Sequence, residues 1–302
     1  TRKQQKRVIW KAKAGNSRKV LLTSAKETKE MPEISVLMAT YNDNPVYVGQ
    51  AIDSILSQTF TDFEFLICDD GSNAEFAEWL RGYCKKDARI RRIRNRRNQG
   101  LAAALNRCMA LASGRYLARM DADDISRTDR LEKQAAFLND HPEYAFVGCN
   151  ARLFGVHGIW GERRMEEAPD KASFLRTSPF IHPSVMFRRE TLAAFGGYRR
   201  SRQYLRAEDY ELFMRLYAAG QRGYNMQKML IDYREDRNAY QKRKYRYRFC
   251  ECAARLHGFQ RLGILKGNVR YVLKPLLAGM IPGNVMERIR KKRYQIRTGK
   301  KS

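Results

Sequence analysis

From Ile34 onward, short apolar runs alternate with stretches of helical period, and this alternation limits the fold more tightly than any other feature. The segment Ile34-Ser35-Val36-Leu37-Met38-Ala39 is almost continuously apolar, as expected of a strand buried on both faces. Asn44-Pro45 then supplies an N-cap and an N1 proline for a helix with Val48, Ile52, Ile55 and Leu56 at helical spacing. The same grammar predicts strands over 63–68, 90–93, 116–120 and 144–149. It predicts helices over 74–84, 101–111, 130–138 and 210–219. Repeated strand–helix units imply an α/β fold with a mostly parallel central sheet, right-handed crossovers and flanking helices. Ligands of such sheets bind beyond the carboxyl ends of the strands. The polar clusters at 40–43, 69–72, 98–100 and 121–124 all fall there.

Several function classes are disfavoured at once. The longest apolar run, 276–281, is far short of the ~20 residues that span a bilayer. The basic first residues are followed by no apolar signal core, which reads against export. Six cysteines, at 68, 84, 108, 149, 250 and 252, fit no zinc framework and no C-x-x-C, so free thiols in a reducing compartment are expected. The first strand is followed by Thr40-Tyr41-Asn42-Asp43, which is neither a dinucleotide glycine fingerprint nor a P-loop.

The net charge of +27 is unevenly spread. Residues 1–32 carry 10 Lys or Arg against 2 Asp or Glu, residues 33–233 carry 29 against 26, and residues 234–302 carry 20 against 4. A near-neutral domain thus stands between two basic ends. Residues 1–32 have no apolar period and read as a disordered basic leader, with Met31 a candidate natural start.

Four motifs carry chemistry. Asp121-Ala122-Asp123-Asp124 follows an apolar strand; residues i and i+2 of extended chain face the same way, so Asp121 and Asp123 can share one ligand. Mg²⁺ or Mn²⁺ prefers carboxylate oxygen and commonly shares its coordination with phosphates. Asp69-Asp70-Gly71-Ser72 reads either as a turn or as a carboxylate that accepts from a pyrimidine ring N–H. Tyr41 either stacks on a base or packs locally. Glu208-Asp209 opens a helix, where acids are favoured by the helix dipole and where one could serve as a general base. His182 either lines an acceptor site or satisfies a loop carbonyl, and the second reading is favoured.

The ordered set formed by 34–42, Gln50-x-x-x-Ser54-Ile55-Leu56-Ser57-Gln58-Thr59-Phe60, Asp69-Asp70-Gly71-Ser72, Asn98-x-Gly100, Asp121-x-Asp123 and Glu208-Asp209 resembles the family 2 glycosyltransferases. The likeness runs from about 33 to 236. It implies the GT-A fold, Rossmann-like with a mostly parallel sheet, and transfer of a sugar with inversion from a nucleotide diphosphate donor, UDP-linked by preference. On this resemblance Ala39 and Tyr41 grip the uracil and ribose, Asp70 accepts from the uracil, and Asn98 and Gly100 lie beside the nucleotide. Asp121 lies near the ribose and phosphates, Asp123 is the metal ligand, and Asp209 is the catalytic base with Glu208 beside it. Many members carry a histidine two residues after a Tyr-Arg; here Tyr233-Arg234 is followed by Glu235 and Asp236, and Asp236 stands as the candidate replacement in the metal shell.

The tail, 237–302, resembles that of bacterial capsule and biofilm exopolysaccharide members. Residues 242–248 read Lys-Arg-Lys-Tyr-Arg-Tyr-Arg, and 288–293 hold five cations in six positions. With the mixed apolar and basic stretch between them, this favours a helical extension lying on an anionic membrane, where it meets a saccharide or lipid-linked acceptor, over a solvated helical face or a nucleic-acid patch with interleaved aromatics. The expectation is therefore a cytoplasmic enzyme, peripheral at the inner face of the membrane, with no nucleic-acid partner. The alternatives are a sugar nucleotidyltransferase, which would need a glycine-rich phosphate loop after the first strand, and an inactive glycosyltransferase-like regulator.

Overall fold

The computed structural model describes residues 31–235 and 245–295. The leader expected over 1–32 therefore lies outside the described residues except for Met31 and Pro32, and Asp236 lies outside them too. In chain order the elements are β1 (Ile34–Thr40), α1 (Pro45–Leu56), β2 (Phe63–Asp69), α2 (Ala74–Cys84), β3 (Ile90–Arg94), α3 (Leu101–Leu111), β4 (Tyr116–Met120), β5 (Ile125–Ser126) and α4 (Arg130–Asp140). There follow β6 (Phe146–Gly155), β7 (Gly158–Arg163), β8 (Met186–Arg188), α5 (Arg189–Ala194), α6 (Glu208–Ala218), β9 (Gly223–Arg234), α7 (Arg246–Leu262), α8 (Val269–Gly279) and α9 (Gly283–Tyr294).

The strands form one sheet in the order β3-β2-β1-β4-β8-β6-β9-β5, with β7 paired to β6. The first four are parallel, as the strand–helix repeat predicts. Beyond β4 the sheet is mixed. The strand expected next, now seen as β6, does not neighbour β4: the three-residue β8 stands between them, antiparallel to both. β6 and β9 are parallel to each other, whereas β5 and β7 pair antiparallel. The result is a GT-A sheet, mostly parallel on the side where the helical repeat is regular.

Alternate residues of the parallel strands feed two cores. Leu37, Leu66, Cys68 and Leu117 pack with α3, α6 and α7, while Val36, Met38, Phe65, Ile67 and Ala118 pack with α1, α2 and α4. Each such fully buried side chain contributes roughly 1.5–3 kcal/mol of transfer free energy. Burial on both faces is why these runs lack the polar alternation of a half-exposed strand.

The helix signals hold at atomic level. Asn44 Oδ1 accepts from Val46 N (2.9 Å) and Asn73 Oδ1 from Phe76 N (2.8 Å), capping α1 and α2. The helix expected over 210–219 begins two residues earlier, so Glu208 and Asp209 occupy its first turn. After the sheet, α7 packs on α6 through Ala254, Gly258 and Phe259, and α8 packs on α7. Pro275 lies inside α8 and cannot donate to Tyr271 O; Arg255 Nη1 donates to that carbonyl instead, at 3.3 Å.

Candidate active site

One cleft of about 510 Å³ opens at the carboxyl ends of the parallel strands. It is lined by eight of the ten residues proposed from sequence: Ala39, Tyr41, Asp70, Asn98, Gly100, Asp121, Asp123 and Glu208. Asp209 does not line it, and Asp236 lies outside the described residues.

The acidic turn follows directly from β4. One carboxylate oxygen from each of Asp121, Asp123 and Asp124 lies within 4.8 Å of the others. Like charges this close resist ionisation. Burial, then repulsion from Asp121 and Asp43, pushes the Asp123 carboxyl up to about 7. Burial, then Asp121 and Asp123, raises Asp124 well above the carboxylate range. Asp43 is raised as well, chiefly by burial, against hydrogen bonds from the Thr40 hydroxyl and Tyr41 N–H. Asp124 Oδ1 accepts from Arg234 N (2.7 Å), but the buried Asp124 Oδ2 has no hydrogen-bond partner. Crowded carboxylate oxygens, raised proton affinity and an orphaned buried oxygen are what a divalent cation relieves, and an all-oxygen donor set suits Mg²⁺ or Mn²⁺. The donor set therefore fits the expected metal.

The turn is held from beneath and behind. Arg119, 1% exposed in the middle of β4, pairs with Asp121 and with the Met120 carbonyl. A guanidinium buried in a strand is costly unless paired, so this contact fixes Asp121. Ser126 N donates to Ser54 Oγ (3.0 Å), Gln58 Nε2 donates to Arg127 O (2.7 Å), and Gln58 Oε1 accepts from Leu131 N (3.0 Å). Thus Ser54 and Gln58 clamp the chain that leaves the acids. Arg234 closes the back, with Nε donating to Asp123 O (2.7 Å), Nη2 donating to Gln50 Oε1 (2.8 Å), and its guanidinium 3.8 Å from the Tyr47 ring centroid.

The opposite wall is built by Asp69 and Asp70. Asp69 Oδ1 accepts from Ser72 N (2.9 Å), which sets the turn after β2. The buried Asp70 carboxylate accepts from Asn95 Nδ2 (2.6 Å), Gln99 N (3.0 Å) and Gly100 N (2.7 Å). Asp70 is therefore the anchor of the 95–100 loop as well as part of the cleft wall. Gly71, at φ +79°, lets that loop pass: a Cβ there would meet the Arg97 backbone at 2.5 Å. The turn reading of this motif holds, and Asp70 also lines the cleft. Tyr41 is 45% exposed at the mouth, so its ring is not packed down locally.

On the remaining side Glu208 is buried at the start of α6 yet reaches the cleft, while Asp209 is half-buried beside it. Burial pushes the Tyr198 phenol up; Arg119 opposes this, and Asp209, Asp121 and Glu208 add to it. The partner of His182 is not a loop carbonyl: its Nε2 lies 2.7 Å from Tyr198 Oη, and burial, with Arg119 nearby, lowers its pKa well below 6.5. Sequence reasoning assigned no site role to Asp43, Asp124, Arg119 or Arg234. Asp43 stands in the polar cluster after β1, and Arg119 is the one charge in an apolar strand two residues before Asp121. Tyr247, from the basic run read as tail, also lines the cleft.

The family model described as "Glycosyl transferase family 2" matches residues 35–196. The chain belongs to this family. Among similar proteins is the Bacillus subtilis (strain 168) protein named as glycosyltransferase EpsE, 36% identical, with the match covering 87% of this chain and 94% of EpsE. An Escherichia coli protein named UDP-Gal:alpha-D-GlcNAc-diphosphoundecaprenol beta-1,3-galactosyltransferase is 30% identical over 76% of this chain and 85% of its own length. Among solved structures, the mannosyltransferase PcManGT from Pyrobaculum calidifontis, in complex with GDP-Man and Mn²⁺, superposes with a TM-score of 0.57 at 18% identity, over 88% of this chain and 81% of that one. At that identity the likeness speaks for the fold.

Proposed function

We propose that this family 2 glycosyltransferase is a metal-dependent, inverting enzyme of polysaccharide synthesis. It moves a sugar from a nucleotide diphosphate donor, UDP-linked, to a hydroxyl of a polysaccharide or lipid-linked acceptor. The observation that carries the reading is that Asp43, Asp121 and Asp123 line the same cleft as Tyr41, Asp70 and Glu208 of the first turn of α6, with the buried Asp124 crowded against Asp121 and Asp123. The Escherichia coli relative, named for UDP-Gal as donor and a diphosphoundecaprenol-linked sugar as acceptor, supports the donor and acceptor classes.

The reaction is a single displacement. The acceptor oxygen forms a bond to the anomeric carbon as the bond from that carbon to the donor phosphate breaks, and the nucleotide diphosphate leaves from the opposite face. Asp209, at the start of α6, takes the acceptor hydroxyl proton, and Glu208 shapes the same wall. Tyr41 offers its exposed ring to the base, and Asp70 presents its carboxylate edge beside the Asn98–Gly100 loop. Asp123 and Asp121 would hold Mg²⁺ or Mn²⁺, which when bound offsets the charge that gathers on the leaving diphosphate.

Membrane association is part of the same reading. No helix among the described residues is long and apolar enough to cross a membrane. On α8, however, Leu273, Leu277 and the following Met280 are 50%, 65% and 73% exposed at helical spacing, beside Arg and Lys residues. That pattern suits a surface resting on anionic lipid at the cytoplasmic face.

Titration of nucleotide sugars with Mn²⁺ tests the proposal. Wild-type protein should bind a UDP-sugar only with metal present and turn it over. Asp123→Ala should lose metal-dependent binding and about 10²–10³ in turnover. Donor binding that ignores both metal and Asp123 would overturn the metal assignment, and binding without any transfer or hydrolysis across a donor panel would identify an inactive regulator.

A further inference from the structure

Next to the donor cleft lies a second groove of about 490 Å³, enclosed by β7, the segment after Leu175, and helices α7, α8 and α9. Its charge is opposite to that of the cleft. Among the described residues that line it, eight are Lys or Arg and two are Glu. Both carboxylates are already engaged: Glu251 pairs with Arg255 (3.1 Å), and Glu235 pairs with Arg290. The excess positive charge stands on side chains such as Arg163, Arg176, Lys274 and Arg293. These cations crowd one another: burial, then Arg255 and Arg293, lowers the Lys274 pKa, while its Nζ donates to the Arg176 carbonyl at 2.9 Å. A patch that repels itself is stabilised by a polyanion, and the excess is larger than one phosphate neutralises.

Two further observations narrow the ligand. First, Tyr233 and Arg234 line both the groove and the donor cleft, so the groove adjoins the site of the acids. Secondly, the groove has an apolar side: Pro275, Met286 and the half-exposed Ile289 line it. Leu273 and Leu277 continue that apolar surface to solvent, each one residue before a groove-lining position of α8. A cationic seat, an apolar flank and adjacency to the cleft occur together.

We propose that this groove binds the diphosphate of the acceptor lipid. Arg163, Arg176, Lys274 and Arg293 hold the two phosphates, the chain leaves along Leu273 and Leu277, and the acceptor sugar points past Tyr233 into the donor cleft. The proposal rests on the lipid-linked acceptor read above. It assigns α7–α9 to acceptor recognition as well as to the membrane surface.

Binding of farnesyl diphosphate to the full chain tests it, measured by equilibrium dialysis with EDTA present so that no metal recruits the diphosphate to the acids. Arg176 and Arg293 are exposed and their substitution should leave the fold intact. In the double variant Arg176→Glu, Arg293→Glu, farnesyl diphosphate affinity should fall about tenfold or more, as for loss of charge-assisted phosphate contacts. Melting temperature and Mn²⁺-dependent UDP affinity should stay as in wild type. If the charge reversal unfolds the protein, Arg176→Gln with Arg293→Gln should give a smaller loss in the same direction. Inorganic pyrophosphate should compete, and phosphatidylglycerol vesicles, which meet the protein only at the outer face of α8, should displace far less at equal phosphate. No binding by wild type, equal binding by the variants, or displacement by the vesicles as effective as by pyrophosphate would each overturn the proposal. Failure of UDP to bind wild type with Mn²⁺ would instead overturn the donor reading, since farnesyl diphosphate is read without nucleotide.

Discussion

The donor cleft and the basic groove share one wall, Tyr233 and Arg234, and differ in how their charges are held. In the cleft, carboxylates crowd on a backbone turn whose every neighbour is fixed: Arg119 and Gln58 are buried, and Arg234 is bonded at three points. In the groove, cations crowd on long side chains that project from helices, from the end of β7 and from the segment after Leu175, several of them exposed. Bond-making needs atoms placed to a fraction of an ångström, whereas holding a polyanion needs only enough charge within reach. The first site should therefore fail on a single substitution and the second should lose affinity by degrees.

The sharpest break is expected at α6. Asp209→Asn should lower transfer about 10²–10⁴-fold, the range for removal of a positioned general base, while Mn²⁺-dependent UDP affinity is kept. Glu208→Gln, on the residue that lines the cleft, should cost much less in kcat and more in acceptor KM. Steady-state kinetics of the two variants decides between them. If Glu208→Gln is the dead enzyme and Asp209→Asn the live one, the base is the cleft-lining residue instead.

A smaller effect should follow pH. With Asp123 pushed up to about 7, protons compete with Mn²⁺ below that value, so apparent metal affinity should fall by about tenfold per unit as pH drops from 7. Stability without metal should move the other way. A carboxyl whose folded pKa lies above its unfolded value binds its proton more tightly in the fold, so metal-free stability should decline as pH rises from about 4 towards 7. Asp123→Asn should flatten that part of the melting-temperature profile in EDTA. A metal-free protein that grows more stable across this window would contradict the crowding on which the metal assignment depends.

How much of this was legible follows the same division. β1 to β4 read clearly because both faces are buried, so each strand is a continuous apolar run that ends in a polar cluster, and the cleft residues lie at those ends. β8 did not, because three residues carry no period; its insertion between β4 and β6 follows from tertiary pairing alone. β9 did not, because Gln227 and Lys228 interrupt it where its register to β6 shifts. The roles of Ser54 and Gln58 as clamps on the acidic turn were legible only as a pattern, since their partners lie about 70 residues away. The groove was legible as a basic tail and not as a site, because its cations come from four distant stretches of chain.

Gly71→Ala tests the rigid half at lower cost. A Cβ at φ +79°, 2.5 Å from the Arg97 backbone, cannot be relieved by a side-chain rotation. Strain of about 1–3 kcal/mol is expected, together with displacement of the 95–100 loop that Asp70 anchors. Donor KM should rise severalfold with farnesyl diphosphate binding unchanged; equal damage to both would mean that the two regions are not mechanically separate.

The smallest effect is expected where the two regions join. Gly258 of α7 faces Met214 of α6, and a Cβ there would lie 2.2 Å from Met214 Sδ but 3.2 Å from Met214 Cβ. The sulfur end of a methionine can swing aside, so Gly258→Ala should cost about 1 kcal/mol in repacking, offset by the ~0.5–1 kcal/mol that alanine gains over glycine inside a helix. The melting temperature should move by no more than a few degrees. Gly258→Leu has no such escape, because its branch must displace the Met214 stem and push α7 from α6. Since the acids hang on the sheet and the groove hangs on α7, that variant should lose farnesyl diphosphate binding while Mn²⁺-dependent UDP binding persists. Should nucleotide binding fall first, the catalytic helix, and not the groove, is what α7 supports.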